Sequence, residues 1–317
     1  MREFYKNKKI LITGSSGFVG SWLAISLQQM GAAIYGIGLE PDTSPSIFKL
    51  LNLEEKIKQK YIDICDYKKL SLTINEISPD IVFHLAAQVD LRHSVSDPML
   101  DAETNIMGTL RVLEGARKSN ANKVVVAASG GTLYGAQDPS LLPFKESLSP
   151  NPGTPYGISK AVTMNYLAAY EDLYGLGGTA LALANVYGPR QIRIGDMATV
   201  IGIFEKQFEK KKPLTVVRPG SQSRRFTHIN DTISVCFEAW KKNKCQHYSI
   251  SHKKKYSIIE VAKMFNTKIK YLSPRKGERY ASALTSMNLD NKVNKRFGKI
   301  SLKDYITSFI KVKKYKK

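Results

Sequence analysis

Short apolar runs alternate with helical patterns through the first two thirds of the chain. Such runs between helical segments are typical of parallel strands that are buried on both faces of a sheet. The predicted strands are residues 10–13, 33–37, 81–85, 123–128 and 179–184, and the predicted helices are residues 18–30, 105–118 and 157–174. The pattern therefore predicts an α/β fold, a doubly wound parallel sheet of the Rossmann type.

The regular alternation fades after Asn185, where prolines and glycines divide the chain into shorter elements. We therefore predict a Rossmann domain over residues 1–185 and a smaller C-terminal α/β substrate lobe over residues 186–317. Some segments of that lobe are expected to return to the sheet. An amphipathic closing helix is predicted from apolar residues at helical spacing, which are Leu302, Tyr305, Ile306, Phe309 and Ile310.

The net charge of +21 is concentrated at one end of the 317-residue chain. Residues 241–317 hold 22 Lys and Arg against 4 Asp and Glu, a balance of +18. A basic segment attracts nucleic acid, anionic membranes or phosphorylated substrates. No RNA-binding, zinc-finger or helix-turn-helix pattern accompanies it, so no nucleic-acid partner is expected. A solvated lysine-rich surface is the simpler interpretation, and peripheral membrane contact is an alternative.

The cysteines and the hydropathy pattern bear on the compartment. No apolar run reaches the roughly 18 residues of a membrane span. Cys65, Cys236 and Cys245 have neither metal-site spacing nor the even count of a disulfide framework. We therefore expect no metal site and a reducing compartment, the cytoplasm.

A glycine-rich turn over residues 13–20 lies between the first predicted strand and the first predicted helix. Gly14 allows a tight turn, Gly17 lets the backbone approach a pyrophosphate, and Gly20 lets the helix pack closely on the strand. Phosphate charge would meet the exposed N–H groups and the positive dipole end of that helix. The turn therefore predicts a dinucleotide-binding site.

The Gly-x-x-Gly-x-x-Gly spacing resembles the extended branch of the short-chain dehydrogenase/reductase superfamily, the NAD-dependent epimerase/dehydratase family. Residues 63–66, 84–87 and 105–109 match further segments of that branch in order, and the resemblance spans nearly the whole chain. It implies cofactor contacts from the glycine turn, the turn after the third strand, the segment under the cofactor and a catalytic helix. These are Gly14, Ser16, Gly17, Phe18, Val19, Asp63, Ile64, Leu85, Ala86, Ala87, Tyr156 and Lys160.

NAD is the predicted cofactor, although the end of the second strand departs from the family pattern. Residues 36–42 place no acid at the usual position for gripping the adenosine ribose, and Glu40 or Asp42 are the substitutes from the loop. No Lys or Arg lies there to bind a 2′-phosphate, which favours NAD over NADP. Residues 32–53 resemble CDP-glucose 4,6-dehydratases more than epimerases.

Tyr156 and Lys160 stand four residues apart, so a helix places both side chains on one face. A free tyrosine, with a pKa of about 10, is a poor base at neutral pH. A neighbouring ammonium and an oxidised nicotinamide ring would both lower that pKa. We predict that Tyr156 exchanges a proton with a sugar hydroxyl during hydride transfer, and that Lys160 also holds the nicotinamide ribose.

The resemblance implies a second catalytic hydroxyl near the end of the fourth strand, where the usual position here is Gly130. Ser129 and Thr132 are the candidates, and Ser129 is preferred. Similar 4,6-dehydratases carry Asp-Glu or Asp-Lys at the positions of Gly131 and Thr132. Eliminating water across C5 and C6 needs a base and an acid, so the lack of that pair favours epimerisation.

The resemblance also implies the partners of this chain. Asn185, Arg224 and Arg275 match positions that contact a nucleotide-diphosphate sugar, and guanidinium groups pair well with phosphate oxygens. Relatives often form homodimers through the helix that carries Tyr156 and the helix near residues 105–118. His84 and His228 are predicted to be packed structural residues.

The sequence thus predicts an NAD-dependent nucleotide-sugar epimerase that acts at C4 through a 4-keto intermediate. The alternative is a 4,6-dehydratase, or a 4-dehydrogenase or reductase, which uses the same hydride step. A remote alternative is a non-catalytic NAD-binding module with a basic interaction surface.

Overall fold

The computed structural model describes residues 2–41, 46–130, 132–134, 149–195, 198–239, 246–273 and 298–315. The strands of its largest sheet are β1 (Lys9–Thr13), β2 (Ala33–Gly38), β3 (Lys58–Tyr61), β4 (Ile81–His84), β5 (Lys123–Ser129), β6 (Gly177–Leu183) and β11 (Gln246–Ile250). Shorter strands pair two by two: β7 (Val186–Tyr187) with β10 (Thr227–His228), β9 (Ser223–Arg225) with β12 (Lys255–Ser257), and β8 (Leu214–Val217) with β13 (Ile269–Leu272).

The helices of the first half are α1 (Arg2–Tyr5), α2 (Phe18–Gln29), α3 (Ile47–Leu50), α4 (Leu53–Lys56), α5 (Tyr67–Ile77), α6 (Leu91–Ser96), α7 (Pro98–Ala102) and α8 (Gly108–Lys118). Those that follow are α9 (Pro155–Tyr174), α10 (Val200–Glu209), α11 (Ile229–Ala239), α12 (Ile258–Met264) and α13 (Leu302–Tyr315). Among these elements, no described helix combines the length and apolar character needed to cross a membrane.

The seven strands of the large sheet run parallel in the order β11-β6-β5-β4-β1-β2-β3. This is the Rossmann strand order with one strand added beside β6, and it confirms the predicted doubly wound α/β fold. β11 comes from the second half of the chain, so that half returns to the sheet after forming its own short strands. The domain boundary at residue 185 stays a prediction.

Hydrophobic cores lie on both faces of the sheet, which explains the continuous apolar runs of the central strands. One core packs α2 and α11 against Ile10, Ile12 and Phe83. The other packs α5, α8 and α9 against Leu11 and Val82. Alternate residues of one strand thus enter opposite cores, as the strand period of two requires.

A third core holds the second lobe together. It joins α10, β8 and α12 to the C-terminal helix α13, whose Leu302 and Ile306 are buried. Tyr305, Phe309 and Ile310 pack partly against the same core, so the apolar spacing along residues 302–310 corresponds to the buried face of an amphipathic helix.

The helix predicted from residue 105 begins with an irregularity. Residues Glu103–Met107 form a π-helix between α7 and α8, so the chain from Pro98 to Lys118 is helical with one widened turn. Short π-helical insertions are rare and frequently lie at functional sites. The widened turn contains Asn105, which is buried.

Candidate active site

The carboxyl ends of the parallel strands open into a cleft of about 600 Å³. It lies at the switch point between β1 and β4, where open α/β sheets bind ligands. Its far wall belongs to the second half of the chain and includes Gln191, Ile192 and Thr199. Because its volume falls within the usual range of ligand pockets, this cleft is the candidate active site.

The glycine turn after β1 forms one end of the cleft and leaves no room for side chains at two positions. Gly14 has a φ of +72°, and a Cβ there would lie 2.7 Å from the backbone nitrogen of Ala86. A Cβ on Gly20 would collide with the carbonyl oxygen of Gly14. The first helix therefore begins directly against the turn, as the glycine spacing predicted.

The start of α2 fits a dinucleotide. Gly17 is its N-cap residue, and no side chain caps the helix. Gly17, Phe18 and Val19 line the cleft. Because the first N–H groups of a helix have no partners within the helix, an uncapped start at a cleft is suited to binding a pyrophosphate.

The lining of the cleft is unusual beside the last residues of β2, where the adenosine of a dinucleotide is expected to bind. Gly38 lines the cleft at the end of that strand, and a Cβ there would lie 3.0 Å from Ser16 Oγ. Ser16 Oγ donates to the carbonyl oxygen of Leu39 at 2.8 Å. Glu40 is exposed beyond the strand, and Asp42 lies outside the described residues. The neighbouring turn contributes Asp63 and Ile64 to the cleft wall.

The floor of the cleft, Leu85 to Ala87, is held by a buried polar chain beneath it. The Ala86 N–H donates to Thr13 Oγ1 at 3.2 Å, and Thr13 Oγ1 lies 2.7 Å from His84 Nδ1. On the other side, His84 Nε2 lies 2.9 Å from Thr109 Oγ1. Burial lowers the pKa of His84 to about 3, so its ring is neutral.

The hydrogen bonds of Thr109 determine which nitrogen of His84 carries the proton. Thr109 Oγ1 donates its single proton to the carbonyl oxygen of Asn105 at 2.6 Å, so it accepts from His84 Nε2–H. His84 Nδ1 is then the acceptor for the hydroxyl of Thr13. With both nitrogens engaged, His84 is a structural residue, as its place in an apolar strand predicted.

Tyr156 and Lys160 lie on α9, at the opposite end of the cleft floor. That helix starts with Thr154 as its N-cap, whose hydroxyl accepts from the Gly157 N–H at 3.2 Å, and with Pro155 in its first turn. Lys160 Nζ lies 5.7 Å from the centre of the Tyr156 ring, and both residues line the cleft. Ser129, the last residue of β5, lines it beside them.

Protein groups alone do not activate Tyr156. The pKa of Tyr156 is raised to about 12, chiefly by burial, while a hydrogen bond with Ser129 lowers it and the charge of Asp101 raises it. The lowering of this pKa that we expected from the ammonium of Lys160 is not among the causes of the shift. The positive charge of an oxidised nicotinamide remains as the factor that would favour the phenolate.

Lys160 is buried as well, with 4% of its surface exposed. Burial lowers the pKa of Lys160 to about 8, and the charge of Asp101 acts in the opposite direction. Lys160 therefore keeps most of its positive charge at neutral pH, although its side chain is almost inaccessible to water.

The structure brings most of the predicted site residues together. Those that line the one cleft are Gly14, Ser16, Gly17, Phe18, Val19, Asp63, Ile64, Leu85, Ala86, Ala87, Ser129, Tyr156, Lys160 and Asn185. They come from the carboxyl ends of β1, β3, β4, β5 and β6 and from helix α9. Their individual roles stay predictions.

Two predicted residues lie elsewhere. Thr132 does not line the cleft, and its buried Oγ1 has no hydrogen-bond partner in the described part of the chain. Its backbone packs against the start of α9 at Gly157. Arg224 does not line the cleft either: its guanidinium donates to the Ser223 carbonyl oxygen at 2.8 Å and to Gln222 Oε1 at 3.4 Å. Arg275 lies outside the described residues.

Other cleft residues had not been predicted. Leu39, Ile62, Thr104 and Gln191 line the cleft, and the charge of Asp101 raises the pKa values of Tyr156 and Lys160. Leu39 follows the predicted strand β2, so its position could have been inferred from the parallel sheet. Nothing in the sequence around Asp101 distinguishes it from an acid on a solvated helix face.

Sequence comparison shows that the chain is similar to nucleotide-sugar epimerases and dehydratases. The sequence model described as GDP-mannose 4,6 dehydratase matches residues 11–314. The UDP-glucose 4-epimerase of Mycolicibacterium smegmatis is 35% identical over 73% of this chain and 72% of its own length. The CDP-glucose 4,6-dehydratase of Salmonella typhimurium is 30% identical over 74% of this chain and 66% of its own length.

Solved structures agree with this placement. The UDP-glucose 4-epimerase of Thermotoga maritima, determined with UDP-glucose, superimposes with a TM-score of 0.85 at 28% identity, covering 97% of this chain and 99% of that one. The Thermus thermophilus UDP-glucose 4-epimerase in complex with NAD gives a TM-score of 0.84 at 25% identity, covering 96% and 99% of the two chains.

The fold and the cleft define a dinucleotide-binding α/β enzyme with a tyrosine–lysine pair. The match over residues 11–314 and the identity to both relatives make the assignment specific. The chain belongs to the NAD-dependent epimerase/dehydratase family of extended short-chain dehydrogenases/reductases, which confirms the family predicted from the sequence.

Proposed function

We propose that this chain is an NAD-dependent nucleotide-sugar epimerase that inverts the configuration at C4. The observation that carries the proposal is the convergence of Tyr156, Lys160 and Ser129 in the cleft that begins at the glycine turn. The relative from M. smegmatis is a UDP-glucose 4-epimerase, and the T. thermophilus 4-epimerase binds NAD. Both agree with a cofactor at the turn and a sugar at the tyrosine.

In this proposal Tyr156 moves the proton of the reaction. Its phenolate takes the proton from the C4 hydroxyl of the sugar, and the resulting phenol returns that proton to the C4 oxygen when the turned 4-keto sugar is reduced on its opposite face. Bound NAD would accept the C4 hydride and give it back. Ser129 hydrogen-bonds with Tyr156 and lowers its pKa, which brings the phenol closer to working pH. The buried Lys160 keeps a positive charge beside the phenol.

The residues that follow β5 favour epimerisation over dehydration. A dehydratase needs an acid and a base that reach C5 and C6. Where similar 4,6-dehydratases carry this acid–base pair, the sequence has Gly131 and Thr132, and Thr132 does not line the cleft. The dehydratase alternative retains support from the S. typhimurium relative, a CDP-glucose 4,6-dehydratase.

Product mass separates the two functions. We expect the purified protein, incubated in turn with UDP-, CDP-, GDP- and dTDP-hexoses, to convert one class to a C4 epimer of unchanged mass. The cofactor is regenerated in each cycle, so no net NADH is expected. A product lighter by one water would establish the dehydratase, and a product lighter by two hydrogens, with NADH released, would establish a dehydrogenase.

The residues proposed to contact the nucleotide-diphosphate sugar differ in their support. Asn185 lines the cleft, and its Nδ2 donates to the Arg225 carbonyl oxygen at 3.2 Å, which holds its side chain at the end of β6. Arg224 would have to give up its present hydrogen bonds to reach a phosphate. Arg275 stays a proposal from the resemblance alone.

A homodimer is part of the proposal. Four apolar side chains on α7, the π-helix and α9 are 40% to 78% exposed: Met99, Met107, Ile158 and Tyr166. These three elements pack against one another, and the proposal places the four side chains on one shared surface. Exposed apolar faces of this kind mark protein–protein contacts, and a two-fold axis would cover the face with its own copy.

Replacing Tyr166 with Glu is expected to dissociate the dimer, because two-fold symmetry would bury two uncompensated carboxylates. Sedimentation velocity at micromolar concentration should show a dimer for the unmodified chain and a monomer for this variant. Leu50→Glu is the matched control, since Leu50 is 53% exposed on α3 at the other face of the sheet. A monomer already present for the unmodified chain would contradict the proposal.

A cytoplasmic location completes the proposal. It rests on Cys65 and Cys236 being free thiols, as expected in a reducing compartment. The basic residues of the C-terminal third are assigned to the solvated surface, with peripheral membrane contact as the alternative.

A further inference from the structure

Asp101 is a fully buried carboxylate behind the catalytic pair, with 0% of its surface exposed. Its Oδ2 accepts from Ser159 Oγ at 2.7 Å, and its Oδ1 accepts from Asn105 Nδ2 at 2.8 Å. Both donors are neutral. A buried charge is costly unless an opposite charge compensates it, so the location of the nearest cation matters.

The cation whose charge interacts with Asp101 is Lys160, the residue after Ser159. Lys160 is itself 4% exposed, and the charge of Asp101 raises its pKa against the lowering caused by burial. The same charge raises the pKa of Tyr156. Asp101 thus acts on both members of the catalytic pair from the side of α9 that faces α7.

The second hydrogen bond of Asp101 leads to the floor of the cleft. Asn105 Nδ2, which Asp101 accepts from, also donates to the Gln88 carbonyl oxygen at 3.0 Å, and Asn105 Oδ1 accepts from the Gln88 N–H at 3.0 Å. Gln88 directly follows Ala87, a cleft residue. The carboxylate therefore orients the amide that clamps the loop under the cofactor site, and the widened π-helical turn holds that amide.

We infer that Asp101 is a positioning residue of this site: its carboxylate is the counter-ion that keeps Lys160 charged and ties the catalytic helix to the loop under the cofactor. This inference deepens the proposed function and rests on it for the meaning of the catalytic pair. Asp101 is fully buried and does not line the cleft, so it acts through Lys160 and Asn105.

The other ionisable groups around Asp101 do not replace it. Arg92 and His93 on α6 are exposed, and Arg92 approaches Asp90 instead. Glu103 of the π-helix pairs with Arg111. His84 on β4 faces Lys160 but is neutral. The charged or titratable groups that face Asp101 from α9 are Tyr156 and Lys160.

Asp101→Asn tests the counter-ion role, because an amide of the same shape can still accept from Asn105 and donate to Ser159. The probe is the 13Cε resonance of Lys160 in the NAD-loaded protein, assigned by its loss in Lys160→Met. Its titration midpoint stands apart from the surface lysines, which titrate near pH 10.4. We expect Asp101→Asn to lower this midpoint by about 1 pH unit.

Ser159→Ala is the control, since it removes one hydrogen bond of Asp101 and keeps the charge. Its Lys160 midpoint should stay close to that of the unmodified protein. An unchanged midpoint in Asp101→Asn would overturn the inference and leave Asp101 a structural residue.

Thermal unfolding of the double variant keeps the inference testable if Asp101→Asn is poorly folded. Lys160→Met leaves Asp101 without its cation, and Asp101→Asn leaves Lys160 without its anion. We expect the double variant to lose much less melting temperature than the two single losses added together. Additive losses would contradict the pairing.

The pH profile of kcat/KM then links the pair to turnover. Removing the negative charge lowers the pKa of Tyr156 and of Lys160 together, so both limbs of the profile should move to lower pH in Asp101→Asn. Fixed limbs with a lower maximum would indicate a purely structural role. If no nucleotide sugar reacts while the Lys160 midpoint shifts as expected, the proposed function fails and the counter-ion role stands.

Discussion

Replacing Tyr156 with Phe is expected to lower kcat for epimerisation by about 10³-fold, within the range for loss of a general acid–base group. The substitution removes the phenolic oxygen and keeps the ring beside Lys160, whose Nζ lies 5.7 Å from the ring centre. The proton of the C4 hydroxyl then has no acceptor of matching position. Hydride transfer without that proton transfer would leave a strongly disfavoured oxonium-like sugar.

The cofactor site should survive this substitution. The glycine turn, the floor of the cleft and Lys160 are unchanged, so NAD content and melting temperature should match those of the unmodified protein. The two readouts are NAD released on denaturation and initial rates with the substrate found in the product-mass experiment.

Tyr166→Phe is the matched control for the Tyr156 prediction. Tyr166 lies on the same helix and is 40% exposed, so the loss of its hydroxyl should leave kcat unchanged. Turnover by Tyr156→Phe at the unmodified rate would rule out Tyr156 as the acid–base group. A variant without NAD would instead assign Tyr156 to cofactor binding.

The sheet was predictable from the sequence because each central strand is buried on both faces. Ile10 and Leu11 enter opposite cores, so the run stays apolar where a half-buried strand would alternate. The predicted strands consequently end within two residues of the observed ones. The edge strand β3 escaped prediction, because its sequence Lys-Gln-Lys-Tyr carries no such run.

The cofactor half of the site was predictable for a topological reason. Parallel strands bring their carboxyl ends to one edge, so residues after successive strands meet there whatever their distance in sequence. Gly14, Asp63, Leu85 and Ser129 lie in one cleft because each follows or ends a strand. Tyr156 and Lys160 were predictable from the helical repeat, because residues four apart lie on one face of a helix.

The groups that tune the site were not predictable in this way. Asp101 reaches the catalytic pair only because α7 packs beside α9 and a π-helical turn directs Asn105 to Gln88. Thr132 was predicted to be a site residue and is not one of the cleft residues. It follows the cleft residue Ser129 by three positions, yet its hydroxyl is buried away from the cleft. Packing decides both positions, and no local pattern encodes packing.

Replacing Gly20 with Ala is expected to damage both stability and cofactor binding. A Cβ on Gly20 would collide with the Gly14 carbonyl oxygen and lie 2.9 Å from Ser15 Cα, so backbone must move. The cost should be about 3 kcal/mol, the upper part of the range for overpacked interiors. For a chain of 317 residues that corresponds to a melting temperature lower by about 4.5 °C.

The loss of NAD affinity should be at least about tenfold, because shifting α2 from the turn weakens charge-assisted hydrogen bonds to the pyrophosphate. Differential scanning fluorimetry measures the first effect and titration with NAD the second. Gly115→Ala is the matched control: Gly115 is also a buried helical glycine, but its Cβ would meet the flexible end of Ile74 at 2.7 Å. That side chain can turn aside, and the gain in helix propensity offsets the contact. If Gly20→Ala melts and binds NAD like Gly115→Ala, the helix does not pack on the turn as tightly as the glycine spacing requires.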